Sequence, residues 1–554
     1  MKKWLSVLFA IMLAIFLAAC TTGDDSKEDT NKDNDENKQE ETKDEDEKDS
    51  DSDKKILYLN NGIEPTSFDP PIGFNAASYN ALNNLMEGLT RLDAEHVPQP
   101  AIAEKWEISD DGLVYTFHIR ENANWSNGDP VTAEDFVFAW KRLLDPDTAS
   151  PAAFLGYFIK GGEAFNNGEG SADDLGLKAV NEKTFEVTLE SPTGFFLNLI
   201  SNPAFFPVNH KVAQENPEWH TEADTYVSNG PFKLKEWNHD QNFVFERNPE
   251  YWDADNVKLD EVHWAMVNDS NTEYQMYESG QLDSSGIPAD LAETLLESDD
   301  IFYEEQAGTH FYRFNVTMEP FQNKNIRKAF ALAVNQEDIV NYITKTLQKP
   351  AYGFVSYGFK DANGNDFRET NGDLIKYDPE EAKKLLEQGM EEEGYSELPK
   401  ITLSYNTSDQ NKAIAEYLQE QFKTVLGVEV ELSNTEWNVF LEDQKALKLQ
   451  FSRSSFLADY GDPVNFLESF ITDSSMNRTG WSNEKYDELI RLSKQEVDEQ
   501  KRFDYLYEAE QILFDEMPIF PMHFYNQIVL LNPDVTGIVR HPVGYLELKW
   551  ADKK

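Results

Sequence analysis

The chemistry open to this chain is limited by a short supply of reactive side chains. Its one thiol is Cys20, and its nine histidines are scattered. None forms an i, i+3 or i, i+4 pair that would aim two imidazoles at one metal. Each reads as a surface or hydrogen-bonded core residue, and no metal is expected. Gly-x-Ser-x-Gly, Gly-x-x-x-x-Gly-Lys-Ser/Thr and His-Glu-x-x-His are all missing from the sequence, so no nucleophile elbow, phosphate loop or zinc helix can be assigned. Asp459 and Asp462 are close enough in sequence to divide acid and base roles. With 102 acidic residues such pairs arise by chance, and neither catalytic residues nor a cofactor are expected. Arg453 stands among Leu449, Phe451, Phe456 and Leu457 in a very acidic protein, where it could meet an anion or close a structural salt bridge.

Cys20 takes its meaning from what precedes it. Met1-Lys2-Lys3 opens the chain with two positive charges, and residues 4–19 contain only Ser6 as a polar side chain. A charged start, an apolar run and small residues before a cleavage point form a secretory signal. Leu17-Ala18-Ala19-Cys20 resembles a bacterial lipobox, which implies cleavage before Cys20 and acylation of its sulfur. As a helix the apolar run would reach only about 24 Å, short of a ~30 Å hydrocarbon core. The alternative, an uncleaved N-terminal anchor, puts the remainder in the same place: outside the cytoplasm and tethered to a membrane.

Residues 21–55 carry 16 acids, 7 lysines and no apolar side chain. Such a segment buries too little surface to offset its ordering entropy, so disorder is expected and the segment reads as a tether. It lacks an Asp-x-Asp-x-Asp-Gly calcium loop. Over the full chain the formal charge is −53, which makes nucleic acid an improbable partner and favours a solvated acidic surface. A lone cysteine excludes an intramolecular disulfide.

The elements that must hold any site are strands early and helices later. Ile56-Leu57-Tyr58-Leu59 reads as a first strand ended by Asn60-Asn61-Gly62, and residues 114–119 and 185–189 alternate as strands do. Thr132 before Ala133-Glu134-Asp135 predicts a helix N-terminus with acids in its first turn. Helices are also expected over 325–343, 413–426 and 503–514. The class is mixed α/β with several domains. Most of the 36 Phe, 23 Tyr and 11 Trp must be core, with some lining a cavity.

Several blocks give more. Ala103-Glu104-Lys105-Trp106-Glu107-Ile108 leads into Tyr115-Thr116-Phe117-His118-Ile119-Arg120 and Trp125-Ser126-Asn127-Gly128. Asn229-Gly230-Pro231-Phe232, Asn248-Pro249-Glu250-Tyr251-Trp252, Phe314-Asn315, Ile326-Arg327-Lys328-Ala329 and Ala458-Asp459-Tyr460-Gly461-Asp462-Pro463 follow in order. From about residue 57 to 531 the chain resembles the extracellular solute-binding proteins of peptide ABC transporters, the oligopeptide-binding group of family 5.

The resemblance implies a two-lobed, three-domain, Venus-flytrap α/β fold with discontinuous domains. Domain I would comprise 56–86, 210–311 and 527–554, domain II 87–209 and domain III 312–526, with crossover strands near 311–314 and 524–527. It implies a monomeric, lipid-anchored receptor on the outer face of a Gram-positive-type cell membrane. That receptor would bind oligopeptides and deliver them to the transmembrane subunits of a permease. The same fold also takes dipeptides, nickel complexes, haem and oligosaccharides, and pheromone sensing or a surface-anchored hydrolase are alternatives. By matched position, Asp459 would pair with the peptide ammonium and Arg453 with its carboxylate or an acidic side chain. Phe456, Asn229, Phe74, Asn75 and Ala76 fall in segments near the ligand. Phe456-Leu457 and Gly461-Asp462 depart from the Trp-Cys and Asn-Glu of the enterobacterial pattern, so the side-chain pockets should differ.

Overall fold

Alternation of Tyr115, Phe117 and Ile119 with more polar neighbours builds the strand Val114–Ile119, with one face buried and the other half-exposed. A computed structural model describes residues 54–554 apart from Glu95, Ala289 and Asp473. The signal segment, Cys20 and nearly all of the acidic tether lie outside the described residues. Val114–Ile119 pairs antiparallel with Ala103–Ile108 and Thr184–Thr188, and Leu177–Asn181 completes a four-stranded sheet. The helix Ala133–Leu144 covers it, setting Phe136 and Trp140 against Phe185 at 5.8 and 5.1 Å between ring centroids. Its start is where Thr132 predicted it: the Thr132 N–H donates to the Asp135 carboxylate at 2.8 Å, one half of a capping box.

The first strand, Ile56–Asn60, lies parallel to Glu261–Ala265, itself flanked by Asn242–Arg247 and then Phe232–Asn238. A third sheet of six strands is built around two long neighbours, Ile301–Phe314 and Ile519–Leu531, which run antiparallel. Their register slips between Glu305 and Thr309. A slip of this kind leaves residues out of the ladder and re-aims their side chains. Beneath this sheet Phe314, Phe321, Phe330, Phe422, Phe451 and Phe520 pack ring on ring, which accounts for much of the aromatic content.

One helix expectation needs correction. Residues 325–343 form two helical pieces, Lys324–Leu332 and Gln336–Asp338, the second continuing as a wider turn over Ile339–Thr344. The break is local: the Asn335 side chain accepts the Glu337 N–H at 3.1 Å and starts a new helix where apolar periodicity alone predicts continuity.

The C-terminal segment returns to the first helix. Asn84 of Ala76–Leu85 donates to the Leu546 carbonyl and accepts the Leu548 N–H, both at 2.8 Å. Arg91 lies between Glu87 and Glu547, all three buried. A buried cation flanked by two carboxylates is tolerable only when all are paired, and here they lock together two segments 456 residues apart in sequence.

Candidate functional site

Where the first helix, the C-terminal hairpin and the turn after strand Phe451–Leu457 converge, the protein forms a partly open cavity of about 320 Å³. Phe74, Asn75, Ala76, Tyr79 and Asn80 line it from the start of helix Ala76–Leu85. Asn75 caps that helix by accepting the Ser78 N–H at 2.9 Å, which fixes the direction in which the helix leaves the cavity wall. Ala458 and Asp459 close the opposite side, and Gln306, Gln527, Arg540 and Tyr545 complete it. Gln306 falls in the register slip of the long strand pair, where the ladder no longer dictates its side-chain direction.

The turn bearing Asp459 is held at almost every residue. The Ala458 N–H donates to the Ala307 carbonyl and the Asp459 N–H to Asn465 Oδ1, each at 2.8 Å. The Asp459 carbonyl accepts from Asn202 Nδ2 at 3.2 Å and from the Tyr545 hydroxyl at 3.0 Å. The Gly461 N–H donates to Asn198 Oδ1 at 2.8 Å, and a Cβ on Gly461 would lie 2.8 Å from that amide, so a larger residue would have to displace the Asn198 side chain. Tyr460 stacks on Phe195 at 4.9 Å. Asp462 caps the following short helix and receives a two-pronged hydrogen bond from Arg502 at 3.0 and 2.7 Å. Asp462 is thus a structural partner, which removes it from any acid–base pair with Asp459.

So many contacts fix the backbone of Asp459 and leave its charge uncompensated. Among the described residues no cation pairs with its carboxylate. Burial pushes its pKa up to about 6, with the nearby Glu468 charge adding to the rise and an Asn465 hydrogen bond opposing it. A carboxylate held in this way, on a cavity lined by amides, aromatic rings, small apolar side chains and the single guanidinium of Arg540, suits a cation that arrives with its own hydrogen-bond donors.

Tyr545 is the brace of this arrangement. Its hydroxyl donates to the Asp459 carbonyl and accepts from Asn202 Nδ2 at 2.8 Å, fully inside the protein. Tyr545→Phe is expected to lower stability by about 1–2 kcal/mol, since the Asn202 amide and the Asp459 carbonyl each lose a partner. Denaturant unfolding measures this directly; a change within about 0.3 kcal/mol would mean that water replaces the hydroxyl.

The residues expected from the sequence are only partly brought together. Phe74, Asn75, Ala76 and Asp459 share the cavity. Asn229 does not reach it: its side chain accepts the Glu87 N–H at 3.0 Å and donates to the Glu87 carbonyl at 2.9 Å, clamping the turn after the first helix. Gly230 beside it lies so close to Met86 that a Cβ would clash with backbone at 2.7 Å, so this block is a packing motif. Phe456 is buried against Phe354 and Phe466 and serves the core. Arg453 lies off the cavity, donating to His310 Nε2 at 3.1 Å and, at 3.4 Å, to Asn406 Oδ1 and the Tyr525 hydroxyl. His310 stacks on His523 at 4.9 Å; burial lowers both imidazoles, so they stay neutral beside the guanidinium. Tyr79, Asn202, Gln306, Gln527, Arg540 and Tyr545 were not anticipated. They are single polar or aromatic residues with no spacing pattern, and only the fold assembles them.

Comparison with known proteins agrees with this architecture. Residues 97–478 match the family model described as bacterial extracellular solute-binding proteins, family 5. The chain is 60% identical over 502 residues to the dipeptide-binding protein DppE of Bacillus subtilis, covering 91% of this chain and 92% of that protein. It is 38% identical to the oligopeptide-binding protein OppA of the same organism, over 98% of each. The structure of Listeria monocytogenes OppA bound to peptide superposes with a TM-score of 0.73 at 33% identity, over 91% of this chain and 99% of that one. With its mixed α/β sheets, its two long shared strands and this extent of similarity, the chain belongs to family 5 of the bacterial extracellular solute-binding proteins and has that family's two-lobed, three-domain fold.

Proposed function

We propose that this protein captures short peptides outside the cell and delivers them to the permease subunits of an ABC importer, with Asp459 holding the peptide ammonium. The observation that carries the reading is the half-buried carboxylate of Asp459, which pairs with no cation among the described residues, on a cavity rich in amide side chains. A peptide of any sequence offers an ammonium and a regular array of backbone N–H and C=O groups. Asn80, Gln306 and Gln527 can each donate and accept, which suits backbone recognition without regard to side chains, whereas the Asn75 and Asn202 amides are already engaged within the protein. Relatives named for dipeptides and for oligopeptides both support a peptide ligand.

In this reading domain I spans 56–86, 210–311 and 527–554, domain II 87–209 and domain III 312–526. The cavity then draws walls from all three, and hinge closure sequesters the ligand until the permease reopens the lobes. No covalent step is involved, and the receptor works as a monomer. Native mass spectrometry of freshly purified protein tests the ligand class. Adducts whose masses fit short peptides are expected; a homogeneous ligand-free mass, unchanged by added peptides, would overturn the reading.

Anchoring is a separate part of the proposal, resting on the signal and lipobox pattern before Cys20. Cys20→Ser is expected to abolish acylation and release the protein from the membrane fraction or leave it unprocessed. Normal processing together with full membrane retention would rule out lipidation at this residue.

A further inference from the structure

Arg313 is a cation that the fold buries with no carboxylate beside it. It stands near the end of strand Ile301–Phe314 and is only 2% exposed. Its Nε donates to Ser454 Oγ and its Nη1 to the Met476 carbonyl, both at 2.9 Å. The Phe311 and Phe470 rings lie 4.9 and 5.3 Å from the guanidinium carbon and shield it from water.

A second guanidinium approaches the first. Arg478 is half-buried in the loop after Phe470. Burial first, and then the Arg478 charge, push the Arg313 pKa down to about 9. Met476 links the two: its carbonyl accepts from Arg313, and its Sδ, a weak acceptor, takes Arg478 Nη2 at 3.5 Å. Arg478 Nη1 donates to Gln444 Oε1 at 3.2 Å, and Arg478 Nε is buried with no hydrogen-bond partner. Among the described residues neither arginine forms an ion pair. The carboxylate that acts on Arg478 is Glu442, exposed and already bound to Lys445 at 2.9 Å.

The surroundings hold the two charges in place. Gln444 is buried, and its Nε2 donates to Ser452 Oγ and to the Arg453 carbonyl, each at 3.1 Å, which turns Oε1 toward Arg478. Asn477 Nδ2 ties the loop by donating to the Phe470, Ile471 and Trp481 carbonyls, and the Val316 N–H donates to the Thr479 carbonyl at 2.9 Å. Like charges held together away from water repel, and a buried charge without a partner is costly. Both terms reverse when an anion accepts the unused N–H groups.

We propose that Arg313 and Arg478 bind a small inorganic anion, chloride or phosphate, which bridges the two guanidinium groups and pins the loop of Arg478 to the strands Ile301–Phe314 and Phe451–Leu457. Both ions bring the chemistry required, a compact negative charge that accepts several N–H donors. The half-buried Arg478 is the side from which the ion enters. This site is separate from the cavity of Asp459, which neither arginine lines. Arg313 pairs across the strands with Ser452 and Arg453 with Tyr312, so the two side chains point to opposite faces of the sheet. The proposal is therefore independent of the peptide reading. With 102 acids against 49 Lys and Arg, the protein as a whole repels anions, so saturable anion binding reports a built site.

The test measures the width of the chloride NMR line as sodium chloride is titrated against the protein at constant ionic strength. Native protein is expected to broaden the line saturably. Arg478→Gln should weaken chloride binding by about tenfold or more, as loss of a charge-assisted partner does, with Arg478→Lys keeping part of the affinity. Thermal unfolding gives a second readout that needs no variant: chloride at about ten times its Kd should favour the folded state by about tenfold. Equal binding by native protein and Arg478→Gln would overturn the assignment. Sodium phosphate is the second arm. If it narrows the chloride line, both ions share the site; if it does not, the site belongs to chloride. If chloride gives no saturable broadening while phosphate raises the melting temperature of native protein and not of Arg478→Gln, the occupant is phosphate. If neither ion binds saturably, the proposal fails.

Discussion

Asp459→Asn is expected to lower affinity for a peptide with a free amino group by about 30- to 4,000-fold and, at the same time, to stabilise the ligand-free protein. The first effect follows from removing one side of a desolvated ion pair, which typically costs ~2–5 kcal/mol. An exposed pair would cost only ~0–1 kcal/mol, so titration calorimetry separates the two situations. The second effect comes from the pKa. The Asp459 carboxyl is raised from 3.8 to about 6, so its contribution to stability is favourable below the unfolded value and is lost as pH rises through 6. At pH 7 the ligand-free protein therefore carries a penalty of about 1–3 kcal/mol, which asparagine lacks. Ligand affinity has the opposite pH sense. It is full above pH 6 and declines below, as the carboxyl takes up the proton that the ammonium must displace. A variant that binds free and N-acetylated peptide as the native protein does would show that Asp459 is no anchor. A variant that lost affinity without gaining melting temperature would place the origin of its raised pKa elsewhere.

Asp462→Ala should produce the largest loss of folding stability around the site, about 3–5 kcal/mol. The side chain is 5% exposed, accepts both prongs of Arg502, and caps the helix Pro463–Leu467 through the Val464 N–H at 2.9 Å. Truncation leaves the Arg502 guanidinium buried without its counter-ion and the helix without its cap. Asp462→Asn keeps the cap and one hydrogen bond and should cost less than half as much. Because Asp462 and Asp459 belong to one turn, Asp462→Ala should also weaken peptide binding, through a looser anchor with its charge intact. Combining Asp462→Leu with Arg502→Met should recover much of the stability, since replacing both partners removes the uncompensated charge. Denaturant unfolding of the three variants checks the series; a loss below about 1 kcal/mol in Asp462→Ala would mean that solvent reaches Arg502.

These two aspartates, three residues apart, show how far the residues themselves could be read. Their spacing suggests a chemical pair; the fold gives one to the wall of a cavity and the other to Arg502. The difference arises because Arg502 is 40 positions away in sequence and meets Asp462 only through tertiary packing. Local elements were more legible. The strand Val114–Ile119 and the helix Ala133–Leu144 follow directly from alternation and from Thr132 at the cap, since both signals act within a few residues. The break at Asn335 was missed for the same kind of reason, a side-chain cap overriding apolar periodicity.

By itself, the sequence determined the compartment signal, the acidic low-complexity segment, the mixed α/β class and, through ordered blocks, the family, all of them properties of residues close together along the chain. It also pointed to Asp459, Phe74, Asn75 and Ala76. Tertiary structure alone decided which of the matched residues share a cavity. Asn229 is consumed by the Glu87 turn, Phe456 by the core and Arg453 by a neutral histidine stack, while Arg540 and Tyr545 arrive from the C-terminal hairpin. The physical reason is that a binding site needs charges left uncompensated at fixed positions. Whether a charge is compensated depends on every element packed around it, and on no spacing along the chain.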